Sequence, residues 1–368
     1  MLIAFILALV VIQVLLTFVH LTVYAMLAMA FGIGGRAMEV FVIVLGLTFL
    51  TASLLSHWFK NRLVAWYYAA AAYWFGLVHF LFIGAVGFYC VATALYAANY
   101  YVHPAILGAI ALGALFMLHT YGTWQSGRAE IERVTIQLPG LPSAWRGKKI
   151  VFVSDLHLGN IHRAGFSAKV VRKIRALAPE AVLIGGDLYD GTSCDPAPLI
   201  EPFRALRPPL GTFYVTGNHE YYLPSREFTD ALAAMRELGI RILDNEAVDM
   251  DGIALVGVAD QAVHKKEDFE KIIKGIPIPK DRPGILMKHE PSHLEIAHDA
   301  GISLVLSGHT HHGQIFPLNY LTKAIYHGFD YGLKRLNAMR VYTSSGVGTW
   351  GPPLRLWTKS EIVCITFA

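Results

Sequence analysis

The sequence predicts an α-helical membrane domain of four spans followed by an α/β domain. Three observations carry this. The chain is 54% hydrophobic and only 16% charged over 368 residues, and the oily part is local: within 1–124 the only charged side chains are Arg36, Glu39, Lys60 and Arg62. That segment holds several uncharged runs of the roughly 20 apolar residues a span requires. Beyond it, short apolar runs alternate with helical periodicity, and a polar cluster closes almost every apolar run.

The first span is Met1–Phe31, which contains no Asp, Glu, Lys or Arg. A cleaved signal peptide, processed near Ala28-Met29-Ala30, is the rival reading. The missing basic leader and the length of the run weigh against it. A second span, Val40–Phe59, stops at Lys60-Asn61-Arg62, charges that a hydrocarbon core tolerates poorly. From Leu63 to Gly127 no charge appears. The break falls at Asn99-Tyr100-Tyr101-Val102-His103-Pro104, where aromatics suit an interface and proline suits a helix start. His20, His57, His79, His103 and His119 read as packing or interfacial imidazoles, with a proton or metal path as the alternative. Four spans put Lys60, Arg62, Arg128 and Arg133 on one side and Arg36 on the other. The positive-inside rule makes the first side, and with it the rest of the chain, cytoplasmic.

Residues 125–147 read as linker and domain entry, and 148–368 as one soluble domain. Its expected elements are strands at Ile150–Val153, Ala181–Ile184, Thr212–Val215, Ile285–Lys288, Leu304–Leu306, Arg340–Thr343 and Ile362–Phe367. Helices are expected at Phe166–Leu177, Pro198–Leu206, Ser225–Leu238 and Ser292–Ala300, with short antiparallel strands across 241–258. Neither part carries an excess of basic charge, so no nucleic-acid partner is expected. Cys90, Cys194 and Cys364 offer neither a disulfide framework nor a thiolate zinc site.

The chemistry sits at strand ends. Asp155 and His157 follow Ile150–Val153, and Gly185-Gly186-Asp187-Leu188-Tyr189-Asp190 follows Ala181–Ile184. Gly217-Asn218-His219-Glu220 follows Thr212–Val215, His289-Glu290 follows Ile285–Lys288, and Gly308-His309-Thr310-His311-His312 follows Leu304–Leu306. Each has a bland explanation alone: a helix cap, a Gly-Asp turn, two surface imidazoles. Five such clusters at the carboxyl ends of strands, where α/β sheets bind ligands, point to metal binding.

These blocks together resemble the calcineurin-like metallophosphoesterases, over nearly all of 148–368. The runs Thr343-Ser344-Ser345-Gly346-Val347-Gly348 and Pro353-Leu354-Arg355 are similar to the branch containing bacterial YkuE- and YaeI-type phosphoesterases. The multi-span start resembles transmembrane proteins with a metallophosphoesterase domain. The resemblance implies two mixed sheets packed face to face with helices outside, and a two-metal site. By carry-over the first ion takes Asp155, His157 and His311, the second takes Asn218, His289 and His309, and Asp187 bridges them. Imidazole and oxygen ligands without thiolate suit Mn, Fe or Zn, with Mn favoured. Two cations about 3.5–4 Å apart can activate a bridging water and clamp an in-line displacement at phosphorus. His219 would protonate the leaving oxygen, with Asp190 supporting it. Arg355 is expected to bind a phosphate oxygen. His312, which stands where the branch has glycine, is expected to narrow the site or donate to the substrate.

The expected function is thus a membrane-anchored metal-dependent phosphoesterase acting on a phosphate ester or pyrophosphate, with anchoring favouring a lipid-linked substrate. The alternative is a catalytically silent membrane sensor or scaffold on the same fold, against which the complete ligand set weighs. Two rival motifs fail on context. His289-Glu290-Pro291-Ser292-His293 matches His-Glu-x-x-His, but Pro291 breaks the helix that would align both histidines. Gly346-Val347-Gly348-Thr349-Trp350-Gly351 matches Gly-x-Gly-x-x-Gly, but Pro352-Pro353 follow instead of a helix. Leu318–Asn337 fits neither period and reads as an ordinary loop or as a lid at the membrane interface.

Overall fold

A computed structural model describes residues 2–262 and 265–368; Met1, at the head of the expected first span, lies outside them. The chain forms two compact units, residues 1–124 with 351–354, and residues 125–350 with 355–368.

The first unit consists of α1 (Leu2–Phe31), α2 (Arg36–Trp58), α3 (Arg62–Ala97) and α4 (Pro104–Ser126). All four are long and apolar enough to cross a membrane. Arg62 opens α3, with the Asn61 side chain accepting from the Val64 N–H at 3.0 Å, a cap for an otherwise orphaned donor. At 36 residues, α3 is roughly 54 Å long at about 1.5 Å per residue, so it must tilt or project beyond a hydrocarbon core of about 30 Å. Small side chains such as Ala52, Ala71 and Ala72 are buried between helices, as close helix approach requires. His20 is a packing residue: its Nδ1 lies 2.7 Å from the Leu16 carbonyl, and Trp74 Nε1 donates to its Nε2 at 3.0 Å. Both ring nitrogens are thereby occupied, Nδ1 as the donor. His103 accepts from the Ala105 N–H at the start of α4.

The second unit runs β1 (Glu130–Ile136), β2 (Lys149–Val153), α5 (Ala164–Ala176), β3 (Ala181–Ile184), α6 (Pro196–Ile200), β4 (Thr212–Tyr214), α7 (Ser225–Glu237), β5 (Ile240–Ile242), β6 (Glu246–Met250), β7 (Ile253–Val258), α8 (Lys266–Gly275), β8 (Gly284–Lys288), α9 (Leu294–Asp299), β9 (Leu304–Ser307), α10 (Leu318–Ile325), β10 (Gly332–Leu336), β11 (Met339–Thr343) and β12 (Glu361–Phe367). One sheet has the order β1-β12-β2-β3-β4-β5 and the other β10-β11-β9-β8-β7-β6. The central strands are built on continuous apolar runs because both faces are buried. Ile150, Phe152, Ala181 and Leu183 meet Ile285, Met287, Leu304 and Leu306 between the sheets. Their neighbours Val151, Val153, Val182 and Ile184 turn outward beneath α5 and α7, while Leu286 and Val305 turn beneath α8 and α9. Phe152 is fully buried in the middle layer, and Phe152→Ala would cost about 3–5 kcal/mol.

β2, β3 and β4 are parallel, with Val153 opposite Ile184 and Ile184 opposite Tyr214. β8 and β9 are likewise parallel, with Met287 opposite Leu306. Their carboxyl ends are therefore level, and the polar loops leave each sheet from one edge.

Several elements differ from the sequence reading. The helix expected at 198–206 is the short α6 followed by a 3₁₀ turn, Glu201–Ala205, because Pro202 has no N–H to continue an α-helix. Within 241–258, β5 pairs in parallel with β4 and only β6 and β7 are antiparallel. β1 lies in the stretch read as linker and pairs in parallel with β12. Leu318–Asn337 is not an ordinary loop but contains α10 and β10, the latter an antiparallel partner of β11. Phe329, between them, packs against the outer core of the second sheet.

Candidate metal centre

The five strand-end clusters converge. Three groups of ligand-type side chains each bring their donor atoms within 4.8 Å of one another: Asp155, His157 and His311; Asp187, His289 and His309; and His157, Asp187 and His219. His157 Nε2 faces His311 Nε2 at 2.9 Å, and His289 Nε2 lies 3.1 Å from Asp187 Oδ2. His309 Nδ1 lies 2.9 Å from Asn218 Oδ1, which brings Asn218 to the second group.

Backbone geometry forces these side chains together. Asp155, His157, Asp187, His309, His311 and His312 all have positive φ, a region that non-glycine residues rarely adopt and that clusters at functional sites. The cost is offset by hydrogen bonds that lock the loops. Asp155 accepts from the His309 N–H at 3.0 Å, joining the two sheets. Asp187 accepts from the His219 N–H at 2.9 Å. Two glycines are required by close approach: a Cβ on Gly217 would overlap the Asp187 carboxylate, and one on Gly308 would overlap Asp155 and Ser154.

The donor set fits a pair of cations. His289 Nδ1 lies 2.8 Å from the Gly185 carbonyl, a bond it makes as donor. That leaves Nε2 aimed at Asp187 Oδ2, 3.1 Å away, where a proton or a cation can sit between the two. His157 has the same outer support, with Nδ1 3.3 Å from Asp190 Oδ1, the carboxylate–imidazole arrangement that orients metal ligands. Burial lowers the basicity of His289, but Asp187 and Asp155 outweigh it and hold the imidazole well above its usual range. The reverse holds for His309, pushed down to about 4 by burial and by His289. His311 is likewise pushed well down, by burial and then by His157 and Arg355. No cysteine belongs to any of the three groups, so the site is of imidazole–oxygen type, suited to Mn, Fe or Zn.

His219 stands at the rim. Its Nδ1 lies 2.9 Å from the Asp190 carbonyl, and its Nε2 turns inward, 4.0 Å from Asp187 Oδ2. Asp190 therefore serves two imidazoles, His219 through its carbonyl and His157 through its carboxylate. His312 stacks on Tyr331 with centroids 4.4 Å apart and places Nε2 3.9 Å from Asp330.

Arg355 requires a correction. The expected phosphate-binding guanidinium is fully buried, and its terminal nitrogens donate to carbonyls: Nη2 to Ser345 and Gly348, and Nη1 to His311. It is a positioning residue that ties the His311 turn to the 345–348 loop. Glu220, which carried no assigned role, proves to be the matching device on the other side. Fully buried, it accepts from the N–H groups of Asp187, Tyr189 and Gly217 at 3.0, 3.0 and 2.8 Å. The one sequence signal was an acidic residue amid an otherwise metal-type cluster. Burial and the Asp187 charge push its carboxyl up to about 7, against the Tyr189 and Gly217 bonds.

Comparison with known proteins agrees with this geometry. The family described as Calcineurin-like phosphoesterase matches residues 148–313. An uncharacterized metallophosphoesterase of Aquifex aeolicus is 33% identical over 265 residues, 70% of this chain and 97% of that protein. An uncharacterized metallophosphoesterase of Helicobacter pylori is 38% identical over 218 residues, 58% of this chain and 58% of its own length. A transmembrane protein with metallophosphoesterase domain from Bos taurus is 36% identical over 249 residues, 62% of this chain and 55% of that protein. The chain thus spans less than two thirds of the length of several curated relatives. With the match to nearly the whole Aquifex protein and the strand-end Asp and His groups in place, the chain belongs to the calcineurin-like metallophosphoesterase family.

Proposed function

We propose that this chain hydrolyses a phosphate ester or pyrophosphate of a lipid-linked substrate at a dinuclear centre. The observation that supports this most is that Asp187 belongs to two of the three ligand groups, as a carboxylate shared by two cations would. Asp155, His157 and His311 would hold one ion and Asn218, His289 and His309 the other, with Mn favoured. Two such cations supply charge that polarises phosphoryl oxygens and acidifies water. The chain's own residues do the rest. His219, its Nδ1–H held by the Asp190 carbonyl, keeps Nε2 free to pass a proton to the leaving oxygen. Asp190 fixes both His219 and His157, and His312 lines the substrate side.

The domain limits are 1–124 for the membrane part, 125–147 for the entry and 148–368 for the enzyme. The Thr343–Gly348 and Pro353–Arg355 runs support the YkuE/YaeI-type branch. Lys60, Arg62, Arg128 and Arg133 support a cytoplasmic enzyme domain. Four candidate spans put the chain beside lipids, which supports the lipid-linked class. The test is metal-loaded protein assayed on aryl phosphomonoesters and diesters and on a long-chain lipid phosphate and pyrophosphate. Metal uptake without turnover on any of them would return the protein to the silent scaffold reading.

A further inference from the structure

We propose that the enzyme unit docks onto the bilayer through α10 and the Phe316–Trp357 aromatic pair, with the headgroup–acyl boundary as the occupant of that face. Helix α10 buries none of its residues. Leu318, Leu321 and Ile325 recur at i, i+3 and i+7, so they form one stripe, and Leu321 and Ile325 are each 56% exposed. Such a stripe facing water has no folding reason, whereas apolar patches that remain exposed mark interaction surfaces. The stripe is extended by aromatics: Phe316 packs on Trp357 at 4.8 Å and on Tyr320 at 6.1 Å, and both partners are 65% exposed.

Chain connectivity identifies the occupant. Only Gly127, Arg128 and Ala129 separate the end of α4, a candidate span, from β1, a reach of roughly 10–14 Å at full extension. The last residue of α4, Ser126, accepts through its carbonyl from Ser360 Oγ at 3.1 Å, and the Ser360 carbonyl accepts from the Glu130 N–H. Trp357 is three residues before Ser360, so the aromatic patch sits within a few residues of the point where the chain leaves the span. The charge also suits a lipid surface. α10 carries Lys323 and no acidic residue, and exposed Lys334 and Arg335 follow on β10. Aromatics, aliphatics and basic side chains on one short helix are the composition of an interfacial helix. The helix also borders the metal centre: it begins just after Gly313, and its C-terminal cap Tyr326 has its ring 6.2 Å from that of His309.

The test uses the full chain in phosphatidylcholine–phosphatidylglycerol vesicles, with Cys90→Ala to remove the exposed native thiol. A fluorophore is placed on Leu321→Cys, on Ile325→Cys as an independent second site, and on Arg226→Cys of α7 as the solvent control. Nitroxide lipids should quench the α10 labels several-fold more than the control, and aqueous iodide should quench them several-fold less. Equal iodide quenching at all three sites overturns the proposal. So does protection that nitroxide lipids cannot quench and that grows with the protein-to-lipid ratio, which would assign the face to a second copy of the chain.

Discussion

Replacing Glu220 by Ala tests whether the bridging carboxylate is held by a clamp of backbone hydrogen bonds. The substitution leaves the N–H groups of Asp187, Tyr189 and Gly217 without an acceptor in a fully buried place. An unsatisfied buried donor costs about 1–3 kcal/mol, so three cost about 3–9 kcal/mol. Water entering the gap would bring the loss to the lower third of that range, about 3–5 kcal/mol. For a unit of this size about 1 kcal/mol lowers Tm by about 2–4 °C, which predicts a fall of roughly 6–20 °C. Glu220→Gln keeps one oxygen, enough for the Asp187 and Gly217 bonds that share Oε2, and loses the Tyr189 bond. It should cost about 1–3 kcal/mol. Asp187 is held at positive φ, and losing its N–H anchor should also weaken metal uptake. The assay is calorimetry of metal-free and metal-loaded full-length protein with isothermal metal titration. A Glu220→Ala protein that melts within about 2 °C of the parent and takes up metal equally well would refute the clamp.

Further outcomes are expected. Elemental analysis of protein prepared without chelators should find close to two transition-metal ions per chain, and a single ion unaffected by added Mn would exclude the dinuclear reading. His219→Ala should keep its metal and lose about 10²–10⁴-fold in turnover, less for aryl leaving groups; equal losses on good and poor leaving groups would make it structural. Lys288 is fully buried over the Phe269 ring, and burial pushes its amine down to about 7. The folded state then binds fewer protons than the unfolded one between about 7 and 10.5, so this group makes stability rise with pH there, by at most about 5 kcal/mol. Lys288→Met should remove that rise, and an unchanged difference between pH 7 and 10 would count against it. A reporter fused to the carboxyl terminus should read out as cytoplasmic, and protease cleavage of the enzyme unit from outside intact cells would invert the topology.

Much of this protein was legible in its sequence because burial and solvent leave one-dimensional marks. A strand covered on both faces must be apolar at every position, so Ile150–Val153 and Ala181–Ile184 announced themselves. A helix in hydrocarbon must be apolar on every side, so the four long helices and the break before Pro104 did too. Side chains that must reach a ligand sit just past strand ends, where the chain turns and backbone is free to bend. The clusters around Asp155, Asp187, Asn218, His289 and His309 could therefore be marked as candidates before any contact was known, while the choice of each residue as a ligand rested on the family resemblance.

What tertiary structure alone decided depends on partners distant in sequence. β1 is half-exposed and carries no clear alternation; it is a strand because β12 pairs with it. Arg355 could as well have faced a phosphate; the carbonyls of Ser345, Gly348 and His311 surround it and turn it into a tie. Glu220 looks like any acid in a loop until three N–H groups, two from the Asp187 turn and one from its own, converge on it. In α10 the period was present, yet an apolar stripe of two turns is too short to separate from a loop, and only its exposure among the described residues shows it as an open face. Local composition decides what a segment can be, because burial and hydrogen-bond satisfaction act on each residue. Which of those options a residue takes is settled by long-range contacts.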